Sequence, residues 1–231
     1  DPRNGAIAPN RAVVISDGKI VDIVAAGSAR KARGVRRVDA RGKYVVPGFL
    51  DMHAHPLDPA DPELSLPLMV SYGVTGYRRM GGSPAMLKAR REGTLPTGTV
   101  PAALAMPGMV LAGPPVATPE GARAVVRRQH ADGADFIKGV DMPPASYFAV
   151  LDEARKLGLP VAGHLPPSID VREAVARGMK AIEHLGPHVS ILEACSTREG
   201  ELRARLSAVP PGGSKINFSA SREQVMRLTA N

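Results

Sequence analysis

Hydrophobic and polar positions fall into two textures along the chain, and the change near residue 45 divides it into a small first part, 1–45, and a larger second part, 46–231. In the first part, residues 12–16 and 19–24 are β-branched runs separated by Asp17-Gly18, a pair suited to the left-handed backbone of a tight hairpin turn. This opening is predicted to be a small β unit. The basic cluster Arg30, Lys31, Arg33, Arg36 and Arg37 that follows sits among Gly and Ala, and reads as a solvated surface loop rather than a phosphate-binding patch.

In the second part, short apolar runs alternate with longer stretches whose apolar residues recur at helical spacing, the pattern of repeated βα units on a parallel sheet. Strands are predicted near 49–52, 74–78, 100–105, 136–140, 160–164 and 181–184, and helices over 63–71, 84–91, 119–131, 144–157 and 169–177. Several of these helices open with Pro or a Thr, Ser or Asp cap, and two stop at Gly158 and Gly178. The last three strands are about 20 to 26 residues apart, the repeat of a (β/α)8 barrel that spends roughly 250 residues on eight units. The predicted class is therefore α/β, a TIM-like (β/α)8 barrel of which about six βα units are present. Beyond His184 the pattern loosens into helical stretches over 187–194, 198–208 and 221–229, with a Pro-Pro-Gly-Gly break at 210–213 and no further clear strand. Six βα units cannot close an eight-strand barrel: either strands seven and eight lie elsewhere in a longer chain, or segments are missing from this sequence.

Composition narrows the chemistry. With 231 residues, 44% of them hydrophobic, the chain can bury a real core. The net charge of +8 suits a basic surface that favours anionic ligands, but the absence of Trp and the presence of four Phe and four Tyr give little for bases to stack on, which disfavours nucleic acid as a partner. A single cysteine, Cys195, excludes an internal disulfide and any Cys-rich zinc site. No apolar run reaches the roughly 18 residues of a membrane span. The sequence starts at Asp1, so cytoplasmic, secreted and periplasmic locations all stay open, as does assembly into a homo-oligomer.

The candidate chemistry begins at the predicted first strand of the barrel. The run from Val46 to Pro56 leaves a Pro-Gly turn and ends in His53-Ala54-His55, and in a buried strand the period of two points both imidazoles the same way. Two neutral imidazoles make half a metal site; alone they could equally be hydrogen-bonded strand histidines. In a βα barrel, chemistry gathers at the carboxyl ends of strands, and three later strand ends carry Lys138, His164 and His184. Four strand ends furnished in this way favour a metal site. Lys138 can ligate a cation only if modified, because an ammonium has no lone pair. Glu183 is predicted by strand alternation to face away from the interior and pair structurally, and His130 and His188 are assigned no metal role. The loops 106–119 and 139–144 are the expected pocket walls, and Arg78 is a candidate carboxylate clamp for substrate.

The segments Pro47-Gly48-Phe49-Leu50-Asp51-Met52-His53-Ala54-His55, Gly73-Val74-Thr75, Ala134-Asp135-Phe136-Ile137-Lys138, Gly163-His164 and Ile182-Glu183-His184-Leu185 together resemble the amidohydrolase superfamily, particularly its imidazolonepropionase-like and metal-dependent dipeptidase-like branch. The resemblance implies that His53 and His55 bind the more buried of two divalent metal ions, zinc in the first instance, that a carboxylated Lys138 bridges the two, and that His164 and His184 hold the second. It also implies that the opening hairpin belongs to a small β-sandwich. Two positions depart from the family pattern. Arg78-Arg79 stands where the branch usually carries Arg-Asp, and no Asp occurs beyond Asp170 to act as the strand-eight general base, so the catalytic base is unknown in this chain.

The expected activity is that of a metal-dependent amidohydrolase. Divalent cations lower the pKa of bound water from 15.7 toward roughly 7, and the hydroxide so formed attacks the carbonyl of a small amide substrate: a dipeptide, an N-acyl amino acid or a cyclic amide. The alternative is a non-catalytic metal- or anion-binding barrel, a degenerate relative lacking the Asp.

Overall fold

The computed structural model describes residues 1, 3–28, 34–57, 62–95, 101–166, 168–185 and 190–207. The chain divides into two compact units, Asp1–Gly48 and Phe49–Asn231. The first unit is built on an antiparallel hairpin, β1 (Arg11–Ser16) and β2 (Lys19–Ala25). Its turn residues Asp17 and Gly18 have φ of 50° and 74°, the left-handed pair the sequence calls for. A bulge lies between Val14 and Ile15, and both faces of the hairpin are largely exposed. Among the described residues this two-stranded sheet is all that stands for the expected sandwich portion. Arg36 and Arg37 are exposed, as a solvated loop requires, while Arg30, Lys31 and Arg33 lie outside the described residues.

The second unit alternates parallel strands and helices. In order it runs β3 (Phe49–Ala54), α1 (Pro62–Ser71), β4 (Val74–Arg79), α2 (Pro84–Glu92), β5 (Ala102–Ala105), β6 (Pro107–Ala112), α3 (Pro119–Ala131), β7 (Phe136–Asp141), α4 (Pro144–Lys156), β8 (Val161–Gly163), α5 (Val171–Ala176), β9 (Met179–Ile182), α6 (Ser190–Ala194) and α7 (Glu199–Ser207). Strands pair in the order β3-β4-β5 and β6-β7-β8-β9, every pair parallel. Counting β5 and β6 as one strand bent at Met106, six parallel strands are described, and the barrel is not closed among them. None of the described helices is long and apolar enough to cross a membrane.

Local sequence explains most boundaries. The Ser83 hydroxyl caps α2 by accepting from the Met86 amide, Thr118 does the same for α3 at Gly121, and the Asp170 carboxylate accepts from the amides of Arg172 and Glu173 at the start of α5. Gly93, with φ of 68°, ends α2 in the left-handed conformation. The main apolar core lies between the sheet and α3 and α4, where Leu111, Val126, Ile137, Tyr147, Val150, Leu151 and Val161 are buried together. A second cluster holds Leu66, Tyr77, Leu87 and Met106, and a small third one joins Met80, Phe136 and Ala162.

Four expectations are corrected. Residues 107–112, read as part of a Gly- and Pro-rich loop, form β6: Pro107 needs no donor at the first strand position, and Gln129 of α3 serves the strand backbone beside Gly108. The Gly108 amide donates to Gln129 Oε1 at 3.1 Å, and Gln129 Nε2 donates to the Met109 carbonyl at 3.1 Å. Strand β3, read as buried, leaves Phe49 68% exposed, with Leu50 and Met52 also exposed, because among the described residues it hydrogen-bonds to β4 alone and forms the sheet edge. Strand β9 ends at Ile182, two residues early, because His184 and Leu185 both have φ of 58° and turn the chain out of the ladder. The helix expected over 169–177 is shorter, with Asp170 as its cap. The stretches 210–213 and 221–229, together with Val100, fall outside the described residues.

Where the bent strand changes partner, Asp135 holds the join. Its Oδ2 accepts from the Met106 amide at 2.8 Å, its own amide donates to the Met106 carbonyl at 3.0 Å, and its carboxylate is gripped by both terminal nitrogens of Arg90 on α2. Burial by itself would push the Asp135 carboxyl up, but the Arg90 guanidinium and the Met106 amide outweigh it and hold the group below the usual carboxylate range. The folded chain therefore binds this proton less readily than the unfolded one. Its contribution is complete above the unfolded value of about 3.9 and is lost as pH falls through the lower folded value. Asp135→Asn is expected to lower stability by about 1–3 kcal/mol at neutral pH in urea unfolding, and to flatten the acid limb of the stability profile. Gly163 makes a second sharp demand: a Cβ there would lie 2.0 Å from the Gly139 carbonyl oxygen, and its φ is 134°. Gly163→Ala should cost at least about 1–3 kcal/mol by the same measurement.

Candidate metal centre

The side chains singled out in the sequence meet at the carboxyl ends of the parallel strands. His53 lies on β3 and His55 just past its end, Lys138 on β7, His164 immediately after β8, and His184 in the turn after β9. All five line one cavity of about 270 Å³, together with Met80 and Val140. Ring centroids are 4.5 Å apart for His53 and His184, 5.3 Å for His164 and His184, and 5.4 Å for His53 and His55. Phe136 and Ala162, two residues before Lys138 and His164, form an apolar cluster with Met80. Tyr147 of α4 donates its hydroxyl hydrogen to the His164 carbonyl at 2.9 Å, holding the chain where it leaves β8.

The electrostatics are those of a crowded cationic site. Lys138 is 3% exposed, and burial pushes its ammonium below the ordinary lysine range; the charge of Glu183 opposes this and that of Arg78 adds to it. Burial likewise lowers the pKa of the His53 imidazolium, against the hydrogen bond that the ring makes to Glu183 and with the help of the Lys138 charge. Both shifts favour neutral nitrogen, the form with a lone pair to donate.

Glu183 is the residue that sequence reasoning misplaced. Strand alternation turned it away from the interior to pair structurally; it does pair, but beside the site, because the strand has already ended and the backbone at His184 is left-handed. Glu183 Oε2 lies 2.6 Å from His53 Nδ1, and its Oε1 accepts from Arg78 Nη2 at 2.5 Å. Arg78, expected as a substrate clamp, directs these donors inward to protein groups: Nε donates to the Met52 carbonyl at 2.7 Å, and the guanidinium lies 5.8 Å from the Phe136 ring centre. Of the two expected wall loops, 139–144 contributes Val140 to the lining and 106–119 contributes none of the lining residues. Met80 lines the cavity without having been singled out; its place two residues past Arg78, at the end of β4, is the signal that could have found it. His130 is exposed on α3, and His188 lies outside the described residues.

Among the described residues, no three His, Cys, Asp or Glu side chains are drawn together as a ready metal cage. The donor set around the cavity nevertheless fits divalent cations in its chemistry, with four imidazoles and a buried amine converging from separate strands.

No protein-family model matches the chain. Dihydroorotases of Anaeromyxobacter sp. (strain K) and of Trichlorobacter lovleyi are 42% and 46% identical to it over 59 residues, a stretch that spans 26% of this chain and 13% of each relative's length. Among solved structures, an amidohydrolase superposes with a TM-score of 0.57 at 18% identity, covering 90% of this chain and 70% of its own. A protein assigned as a prolidase from Bifidobacterium longum gives 0.56 at 23% identity, covering 75% of this chain and 49% of its own. At these identities the structural likeness is one of fold, and the fold is the amidohydrolase type of βα barrel. The short sequence match to dihydroorotases and the shared barrel architecture agree with the motifs that furnish the strand ends, and in both the chain is similar to the amidohydrolase superfamily.

Proposed function

We propose that this chain forms the metal-binding part of a hydrolase that cleaves a C–N bond of a small substrate, of the class of dipeptides, N-acyl amino acids or cyclic amides. The observation that carries the reading is the convergence of His53, His55, His164, His184 and the buried Lys138 on one cavity at the carboxyl ends of parallel strands. The short match to dihydroorotases and the fold shared with an amidohydrolase and an assigned prolidase support amide-type substrates.

Two divalent cations, zinc in the first instance, would supply a water of lowered pKa and polarise the substrate carbonyl. His53 and His55 would hold one ion, and His164 and His184 the other. Lys138 would lie between them as a carbamate. Burial enlarges its neutral fraction; the amine lone pair then attacks the carbon of carbon dioxide, the nitrogen loses a proton, and a cation becomes an anion able to bridge. Met80 and Val140 give the cavity an apolar part, and Phe136 packs with Met80; charge interactions are stronger in such surroundings than in water. The chain's net charge of +8 favours substrates bearing a carboxylate.

Elemental analysis of protein purified without chelators is expected to give about two zinc-class ions per chain, the number that a paired-metal site requires. His55→Ala and Lys138→Ala should each reduce that content and abolish hydrolysis of a panel of dipeptides, N-acyl amino acids and cyclic amides. Added bicarbonate should raise metal content in the parent chain but not in Lys138→Ala. Full metal content and unchanged turnover in either variant would overturn the proposal.

A further inference from the structure

We infer that Arg78 and Glu183 form a positioning pair that fixes the tautomer of His53, placing the ring hydrogen on Nδ1 and leaving the Nε2 lone pair for the cavity. The argument needs only geometry and donor counting. A carboxylate paired to a guanidinium can accept hydrogen bonds but not donate them, so the 2.6 Å contact between Glu183 Oε2 and His53 Nδ1 requires the hydrogen to sit on Nδ1. The other ring nitrogen is then bare, on a side chain that lines the cavity.

Arg78 makes the arrangement rigid. Its Nη2 holds Glu183 Oε1 at 2.5 Å, while its Nε is anchored to the carbonyl of Met52, the residue directly before His53 on β3. One guanidinium thus ties the turn after β9 to the backbone that carries the imidazole. The three side chains are 18%, 9% and 23% exposed for Arg78, Glu183 and His53, so water competes weakly for these bonds. Lysine could not reproduce the grip, because an ammonium has no fixed fork of donors.

The use of the bare Nε2 as a ligand rests on the proposed metal site, whereas the tautomer itself does not, and the test separates them. The full chain, stripped of metal and labelled with 15N in its histidine rings, is examined by NMR near pH 8, well above the ordinary imidazole value of about 6.5. His53→Gln identifies the His53 signals. In the parent, His53 should carry its hydrogen on Nδ1. In Glu183→Gln, Arg78 retains the amide oxygen, the amide NH2 turns to the ring, and the hydrogen should move to Nε2. In Arg78→Lys, the preference should relax toward a mixture. Zinc affinity, measured by calorimetry, should fall about 10- to 100-fold in Glu183→Gln, and Glu153→Gln on α4 should leave both readouts unchanged. Hydrogen on Nε2 in the parent, or on Nδ1 undisturbed in a folded Glu183→Gln chain, would overturn the inference. Inversion of the tautomer in chains that bind no zinc would uphold the positioning pair and remove the metal reading instead.

Discussion

The second unit depends on a single strand that changes partner in mid-course. Up to Ala105 the chain pairs with β4, and from Pro107 it pairs with β7, so continuity of the sheet passes through one residue, Met106. Unpaired backbone at such a place would be costly, because its amide and carbonyl are withdrawn from water. Asp135 meets both, its side chain taking the Met106 amide and its own amide giving to the Met106 carbonyl, and Arg90 fixes the carboxylate from α2. The join therefore sets the relation of β3 and β4 to β7, β8 and β9, and with it the distance from His53 to the residues of the later strands.

The site built on this frame gathers positive and imidazole groups around one carboxylate. Four histidines, Lys138 and Arg78 come together, and the Glu183 carboxylate is hydrogen-bonded to His53 and Arg78. Desolvation resolves part of the conflict by favouring neutral nitrogen on Lys138 and His53, and hydrogen bonding to Glu183 resolves another part. Neutral nitrogen on Lys138 and His53 leaves these groups with lone pairs facing one cavity.

Legibility in the sequence followed the range of the interactions involved. The Asp17-Gly18 turn, the Ser83, Thr118 and Asp170 caps and the stop at Gly93 are local, and each appears where residue type places it. The histidines and Lys138 could be found because strand ends are where a βα barrel concentrates its chemistry. By contrast, β6 was hidden by Pro107-Gly108, which looks like a turn until Gln129, from a helix 21 residues away along the chain, supplies the strand with partners. The exposure of Phe49 was hidden too, since an apolar run does not reveal whether a strand lies at the centre of a sheet or at its edge.

By itself, the sequence determined the alternation of strand and helix, the hairpin, and the four histidines and the lysine that line the cavity, because periodicity, turn chemistry and side-chain donors are properties of neighbouring positions. The tertiary structure alone decided what those residues do to one another. Left-handed backbone at His184 put Glu183 beside His53, although the two are 130 positions apart, and joined Arg78 to that carboxylate. Contacts across such separations depend on how strands are stacked and where each one ends, which no local pattern of residues encodes.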